Sequence, residues 1–122
     1  MSNFTINKGM SNEFIITIKK NDTILPLVID PTDTFKLYLY KLSNNALIET
    51  LELGSGIEVY DDANGQIKIT MDQVLVDSLE IARGDRSDYY YEKPMYRIAI
   101  ECNTVDNGKF VAKVNKVYIC SK

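Results

Sequence analysis

The chain is 122 residues long, 45% apolar and 25% charged, with 14 basic against 17 acidic side chains and a formal charge of -3. That size suits one core, so a single domain over 1–122 is expected, and the mild acidity argues against a dedicated nucleic-acid binder. The absence of histidine excludes Ser-His-Asp and Cys-His catalysis, histidine zinc sites and any imidazole pH switch.

At the N-terminus, residues 1–8 lack the apolar run of a signal peptide. The longest apolar stretch, 24–29, contains Pro26 and falls far short of the roughly 20 residues a membrane helix needs. Asn3-Phe4-Thr5 and Asn21-Asp22-Thr23 match the glycosylation sequon, but without a secretion signal they read as chance.

Ile, Val and Thr supply 30 residues and Tyr eight, side chains that fit a pleated, half-buried surface. Phe14, Ile16 and Ile18 alternate with Ile15, Thr17 and Lys19; Phe35, Leu37 and Leu39 with Lys36, Tyr38 and Tyr40. Ile67, Ile69 and Met71 alternate with Lys68 and Thr70, and Tyr96, Ile98 and Ile100 with Arg97, Ala99 and Glu101. Period two with one apolar face predicts antiparallel strands lying on a core.

Turn signals separate these runs. Lys20-Asn21-Asp22 and Asp30-Pro31-Thr32-Asp33 punctuate the first half. Asp61-Asp62-Ala63-Asn64-Gly65 joins 57–60 to 66–71 as a hairpin, Asn-Gly being a strong hairpin pair. Residues 103–108 make a second such turn. About seven or more strands follow, hence an all-β sandwich or barrel.

One segment departs from the alternation. Met71, Leu75, Leu79 and Ala82 lie at helical spacing. Thr70 with Gln73 reads as a capping box, and Gly84 as a left-handed C-terminal cap. A short helix near 72–82 is expected, with a strand through Val74 and Val76 as the competing reading.

In the last strand, 109–120, Phe110, Ala112 and Val114 are out of phase with Val117 and Ile119. One extra residue near Asn115-Lys116 restores the phase, predicting a β-bulge or bend. If this strand pairs with 95–102, Cys102 faces residue 110 and Cys120 faces residue 92. The sulfurs then lie about 30 Å apart, far beyond disulfide reach, so two free thiols are expected, as suits a reducing cytoplasm.

Few motifs point to chemistry. Asp61-Asp62-x-Asn64-Gly65 lacks the alternating ligands and closing glutamate of a calcium loop and reads as a hairpin turn. Arg83-Gly84-Asp85 matches an integrin tripeptide, but three residues carry little information. There is no phosphate loop, nucleophile elbow or metal-spaced cysteine pair, and Glu49, Glu52, Glu58 and Glu101 sit where a solvent face is expected. The most distinctive stretch is 85–94, which holds Arg86 and three consecutive tyrosines, Tyr89, Tyr90 and Tyr91. Three such residues in extended chain cannot all face a core. Tyrosine favours recognition surfaces, which points to a protein contact or, second, a sugar platform. The competing reading is a strand start with one solvated tyrosine.

The order of pieces then resembles a known group. Phe4-Thr5-Ile6-Asn7-Lys8-Gly9, the Glu13 strand, Ile57-Glu58-Val59 and Asn64-Gly65-Gln66-Ile67-Lys68-Ile69-Thr70 run into a short helix. Tyr96-Arg97-Ile98-Ala99-Ile100 and a closing Lys116-Val117-Tyr118-Ile119 follow. This resembles the small immunoglobulin-like β-sandwich domains of tailed-phage structural proteins, those at the N-terminus of upper baseplate proteins above all. The resemblance implies an immunoglobulin-like antiparallel sandwich with no catalytic residues, cofactor or metal. The longer link into the Tyr96 strand and the chain end at Lys122 favour a free-standing adaptor at the tail, baseplate, neck or collar over a fibre anchor. A capsid decoration protein is the alternative.

The expectation is therefore a non-enzymatic virion protein, made in the host cytoplasm, that contacts copies of itself and other virion proteins. No nucleic acid or membrane partner is expected, and a host glycan is the minority partner. The residues expected to bind partners are Tyr89, Tyr90, Tyr91 and Arg86, with Phe4 and Ile6 on an N-terminal strand whose edge can recruit a neighbour.

Overall fold

Residues that alternate between apolar and polar do form strands, and the apolar half of each closes on one core. The computed structural model describes residues 4–19, 25–79, 94–105 and 108–120, with the side chains of Phe4, Lys113, Val114 and Cys120 left aside. The strands are β1 (Phe4–Asn7), β2 (Asn12–Thr17), β3 (Thr34–Lys41), β4 (Leu47–Leu53), β5 (Gly56–Asp61), β6 (Gln66–Met71), β7 (Tyr96–Thr104) and β8 (Gly108–Cys120). One short helix, α1 (Gln73–Ser78), follows β6.

The strand order is β1-β8-β7-β3-β4-β5-β6-β2. All ladders are antiparallel except β1 with β8 and β4 with β5. The β4–β5 ladder has only two rungs, Glu52↔Gly56 and Leu53↔Ile57, and there the sheet turns over. Gly56 makes the turn possible. Its φ is +99°, a conformation that side-chain-bearing residues rarely adopt, and a Cβ there would lie 2.8 Å from Leu51 Cδ2, so that side chain would have to shift. Divided at this corner, β8-β7-β3-β4 faces β5-β6-β2 in the Greek-key order of an immunoglobulin-like sandwich.

Between the layers lies one cluster. Phe35, Leu37 and Leu39 of β3, Ile98 and Ile100 of β7 and Val117 and Ile119 of β8 pack with Ile16, Ile57, Ile67, Ile69 and Met71 of the opposite layer. All are buried, and a buried aliphatic side chain contributes about 1.5–3 kcal/mol.

The two ends of the sheet meet again, which gives the sandwich a nearly closed, barrel-like section. β1 and β2 are successive strands at opposite ends of the strand order. Asn7 N donates to Asn12 Oδ1 (3.0 Å) and Asn12 Nδ2 donates back to Asn7 O (2.9 Å), so one side-chain amide substitutes for a ladder rung across the seam. Helix α1 braces this corner. Lys8 Nζ donates to Leu79 O at 2.7 Å, and Gly9 N to Asp77 Oδ1 at 2.9 Å.

Several details differ from the sequence reading. The helix spans Gln73–Ser78, shorter than 72–82, and its N-cap is Asp72, whose Oδ1 accepts from Leu75 N at 2.9 Å. Thr70 cannot serve as cap because it stays in the β6 ladder opposite Glu13. Val76, assigned to a rival strand, is the fully buried helical residue. Gly84 lies outside the described residues. The bulge in β8 also falls earlier: Ile100 pairs with Lys113 and Glu101 with Val111, so the extra residue is Ala112 and not Asn115 or Lys116. The correction in phase puts Asn115 on the core side with Val117 and Ile119.

Cys102 pairs in register with Phe110, as the hairpin argument requires, and is a free, buried thiol. The Asn64-Gly65 hairpin forms through one 3-10 turn (Asp62–Asn64), with Gly65 in the left-handed region at φ +67°. No helix among the described residues is long and apolar enough to cross a membrane.

Candidate functional site

The outer face of the β8-β7-β3-β4 layer carries the most distinctive side chains among the described residues. Alternation places Leu37 and Leu39 inward, which turns Lys36, Tyr38 and Tyr40 outward. On β7 the inward set is Tyr96, Ile98, Ile100 and Cys102, leaving Arg97, Ala99 and Glu101 outside.

Register brings these residues into three rows. Lys36 lies between Glu52 and Glu101, Tyr38 between Thr50 and Ala99, and Tyr40 between Leu47 and Arg97. Beyond β7, Glu101 neighbours Val111 and Arg97 neighbours Lys116. The face is thus two half-exposed tyrosines beside a small residue, bounded by charges of both signs.

Its side chains are held by one another. The rings of Tyr38 and Tyr40 lie 6.3 Å apart at 34°. Tyr38 donates its hydroxyl to Glu101 Oε1 at 3.3 Å, and Lys109 Nζ approaches the same oxygen at 3.8 Å. Partial desolvation, then the Glu101 charge, raises the Tyr38 pKa above the ordinary phenol value, so the hydroxyl remains a donor at neutral pH. Arg97 Cζ stands 4.3 Å from the Tyr40 ring centroid, a cation–π contact. Its Nη2 donates to Asn45 Oδ1 at 2.9 Å, in the β3–β4 turn. Arg97 thus covers one face of the Tyr40 ring.

A second feature is a groove of about 430 Å³ between β4 and α1, lined by Ile48, Thr50, Ser55, Asp72, Val74 and Leu75 among others. Its carboxylates are committed to the backbone. Asp72 caps α1, and Glu49 Oε1 accepts from Thr50 N at 3.0 Å. Each carboxylate thus holds a backbone amide through one of its two oxygens.

The residues singled out in the sequence fall differently. Tyr89, Tyr90, Tyr91 and Arg86 lie outside the described residues. Ile6 is fully buried, opposite Ile119, so its side chain belongs to the core. Phe4 is placed by its backbone, opposite Val117. β1 is the end strand of the order, pairing with β8 on one side and bridged to β2 by Asn12 on the other.

Tyr38, Tyr40, Arg97 and Glu101 carried a signal in the sequence, as the non-core positions of two strong strands. That signal did not say the two strands would be neighbours.

Cys102 offers no nucleophile. Burial, then the carboxylates of Asp33 and Glu101, pushes its thiol up to about 12, which leaves it protonated and inert. Among the described residues no group of three His, Cys, Asp or Glu side chains could hold a metal ion. No protein-family model matches the chain, and no curated protein matches its sequence.

Proposed function

We propose that this chain is a non-enzymatic assembly domain, an adaptor in a tailed-phage particle that contacts other virion proteins and copies of itself. The observation that carries the contact role is the outer face of β3 and β7. Tyrosine and arginine dominate the energetics of protein interfaces, and here Tyr38, Tyr40 and Arg97 stand together on a rigid sheet. They are pre-ordered by the Glu101 and Asn45 hydrogen bonds, which lowers the entropy lost on binding. The placement in a virion rests on the resemblance of the strand and turn order alone.

The test is quantitative mass spectrometry of purified particles of the phage encoding this chain, scaled to the major capsid protein. A few to a few dozen copies are expected for an adaptor, and hundreds would point instead to capsid decoration. The triple variant Tyr38→Ser, Tyr40→Ser, Arg97→Ala is expected to lower incorporation at least tenfold while remaining folded. A chain missing from the particles would overturn the virion reading. Undiminished incorporation of the triple variant would overturn the role of this face.

A further inference from the structure

We infer that the occupant of the β3–β7 face is a second copy of this chain, docked about a two-fold axis that runs parallel to the strands between β3 and β7. The inference deepens the assembly reading above and depends on it for the importance of this face.

The argument is the register itself. An axis along the strands lays β3 of each copy on β7 of the other and keeps each row at its own level. Such aligned stacking is a normal sheet-on-sheet geometry, with faces about 10 Å apart. In the first row Lys36 then meets Glu101 of the second copy. In the middle row Tyr38 meets Ala99 of the second copy, a large ring over a small side chain. In the third row Tyr40 meets Arg97 of the second copy, so each guanidinium is held between two rings. These pairs follow from Lys36↔Glu101, Tyr38↔Ala99 and Tyr40↔Arg97 being neighbours within one copy. On the two central strands each row thus combines opposite charge, opposite size, or cation with ring, which is the self-complementarity an isologous contact requires.

Size also selects the axis. A two-fold axis across the strands would set Tyr38 on Tyr38 and Ala99 on Ala99, stacking bulk on bulk and leaving a gap beside it. Close packing disfavours that arrangement. Of the two axes, the one along the strands seats the Tyr38 ring over a small residue.

Four strands about 4.8 Å apart and some six residues deep present about 400 Å² per copy. That is roughly half of the standard 800 Å² per partner, so the isolated dimer is weak. A symmetric particle that holds many copies together compensates for the small contact.

The test is a charge exchange read by sedimentation equilibrium of the full chain from about 10 μM to 1 mM. Wild type is expected to shift from monomer to dimer within that range. Lys36→Glu alone places Glu against Glu101 of the second copy, and Glu101→Lys alone places Lys against Lys36. Each variant is expected to weaken self-association at least tenfold. An equimolar mixture of the two restores both ion pairs and is expected to dimerise within about threefold of wild type. Ala99→Arg, on an outward position, fills the recess under Tyr38 and is expected to remain monomeric.

Circular dichroism establishes that each variant is folded. A wild type that stays monomeric to 1 mM, or a mixture that fails to pair, overturns the inference. If wild type is monomeric while the triple variant of the preceding section is lost from particles, the self-contact falls and the assembly reading stands.

Discussion

Asp33, at the start of β3, accepts a hydrogen bond through Oδ1 from Val105 N at 2.9 Å, joining two turns that lie 72 residues apart in the chain. Its other oxygen, Oδ2, accepts from Asp30 N at 2.9 Å. The carboxylate is buried, at 3% exposure, and fastens the turn before β3 to the β7–β8 hairpin.

Removing it leaves two amide donors without their acceptor. Each such loss costs about 1–2 kcal/mol at these part-buried bonds, so Asp33→Ala is expected to destabilise the fold by about 2–4 kcal/mol. Asp33→Asn keeps one acceptor oxygen and is expected to cost about half as much. Urea unfolding of the two variants checks the order, and equal losses for both would refute the two-acceptor account.

The Arg97–Tyr40 pair makes a smaller, separable contribution. At a half-exposed site a cation–π contact is worth about 0.5–1 kcal/mol. A double-mutant cycle over Arg97→Ala and Tyr40→Ala, measured by urea unfolding, is expected to return a coupling in that range. Lysine at position 97 keeps the charge but lacks the planar fork that bonds Asn45 while lying on the ring. Arg97→Lys is therefore expected to lose most of the coupling. Full retention with Lys would show that charge alone sets the interaction.

Much of this architecture is legible in the sequence because burial on one side enforces period two. The strands around Phe35, Ile67 and Ile98 follow their alternation through to the core, and Asn64-Gly65 marks its hairpin. Strand β4 is harder to see because Leu51 alone is fully buried on it, so no alternation is imposed. The helix cap is hidden for a related reason: Thr70 has the side chain of a cap, and only the ladder with β2 shows that it is already in a strand, which leaves Asp72 to cap α1.

The candidate face was less legible still. Tyr38 and Tyr40 look like ordinary outward residues until β7 brings Ala99 and Arg97 beside them. That neighbour relationship is set by the Greek key, and no local pattern encodes it. Asp33 is a similar case, since its place in a turn was visible and its bond to Val105 was not.

Cys102 gives a pH dependence whose sign is fixed by its burial. The thiol titrates near 9 when unfolded and is pushed up to about 12 in the fold. Below pH 9 both states hold the proton, so the group leaves stability unchanged with pH. Between 9 and 12 the unfolded chain releases the proton and the folded chain keeps it, so stability falls as pH rises, by roughly 1 kcal/mol per unit. Other groups titrate in this range as well, and the comparison with Cys102→Ala isolates the thiol. The variant loses packing at neutral pH, but its stability is expected to converge on that of wild type as pH is raised from 9 towards 12. Urea unfolding at pH 7, 9, 10 and 11 measures the gap. Parallel curves would mean that the thiol ionises as readily in the fold as in the open chain, and the burial argument would fail.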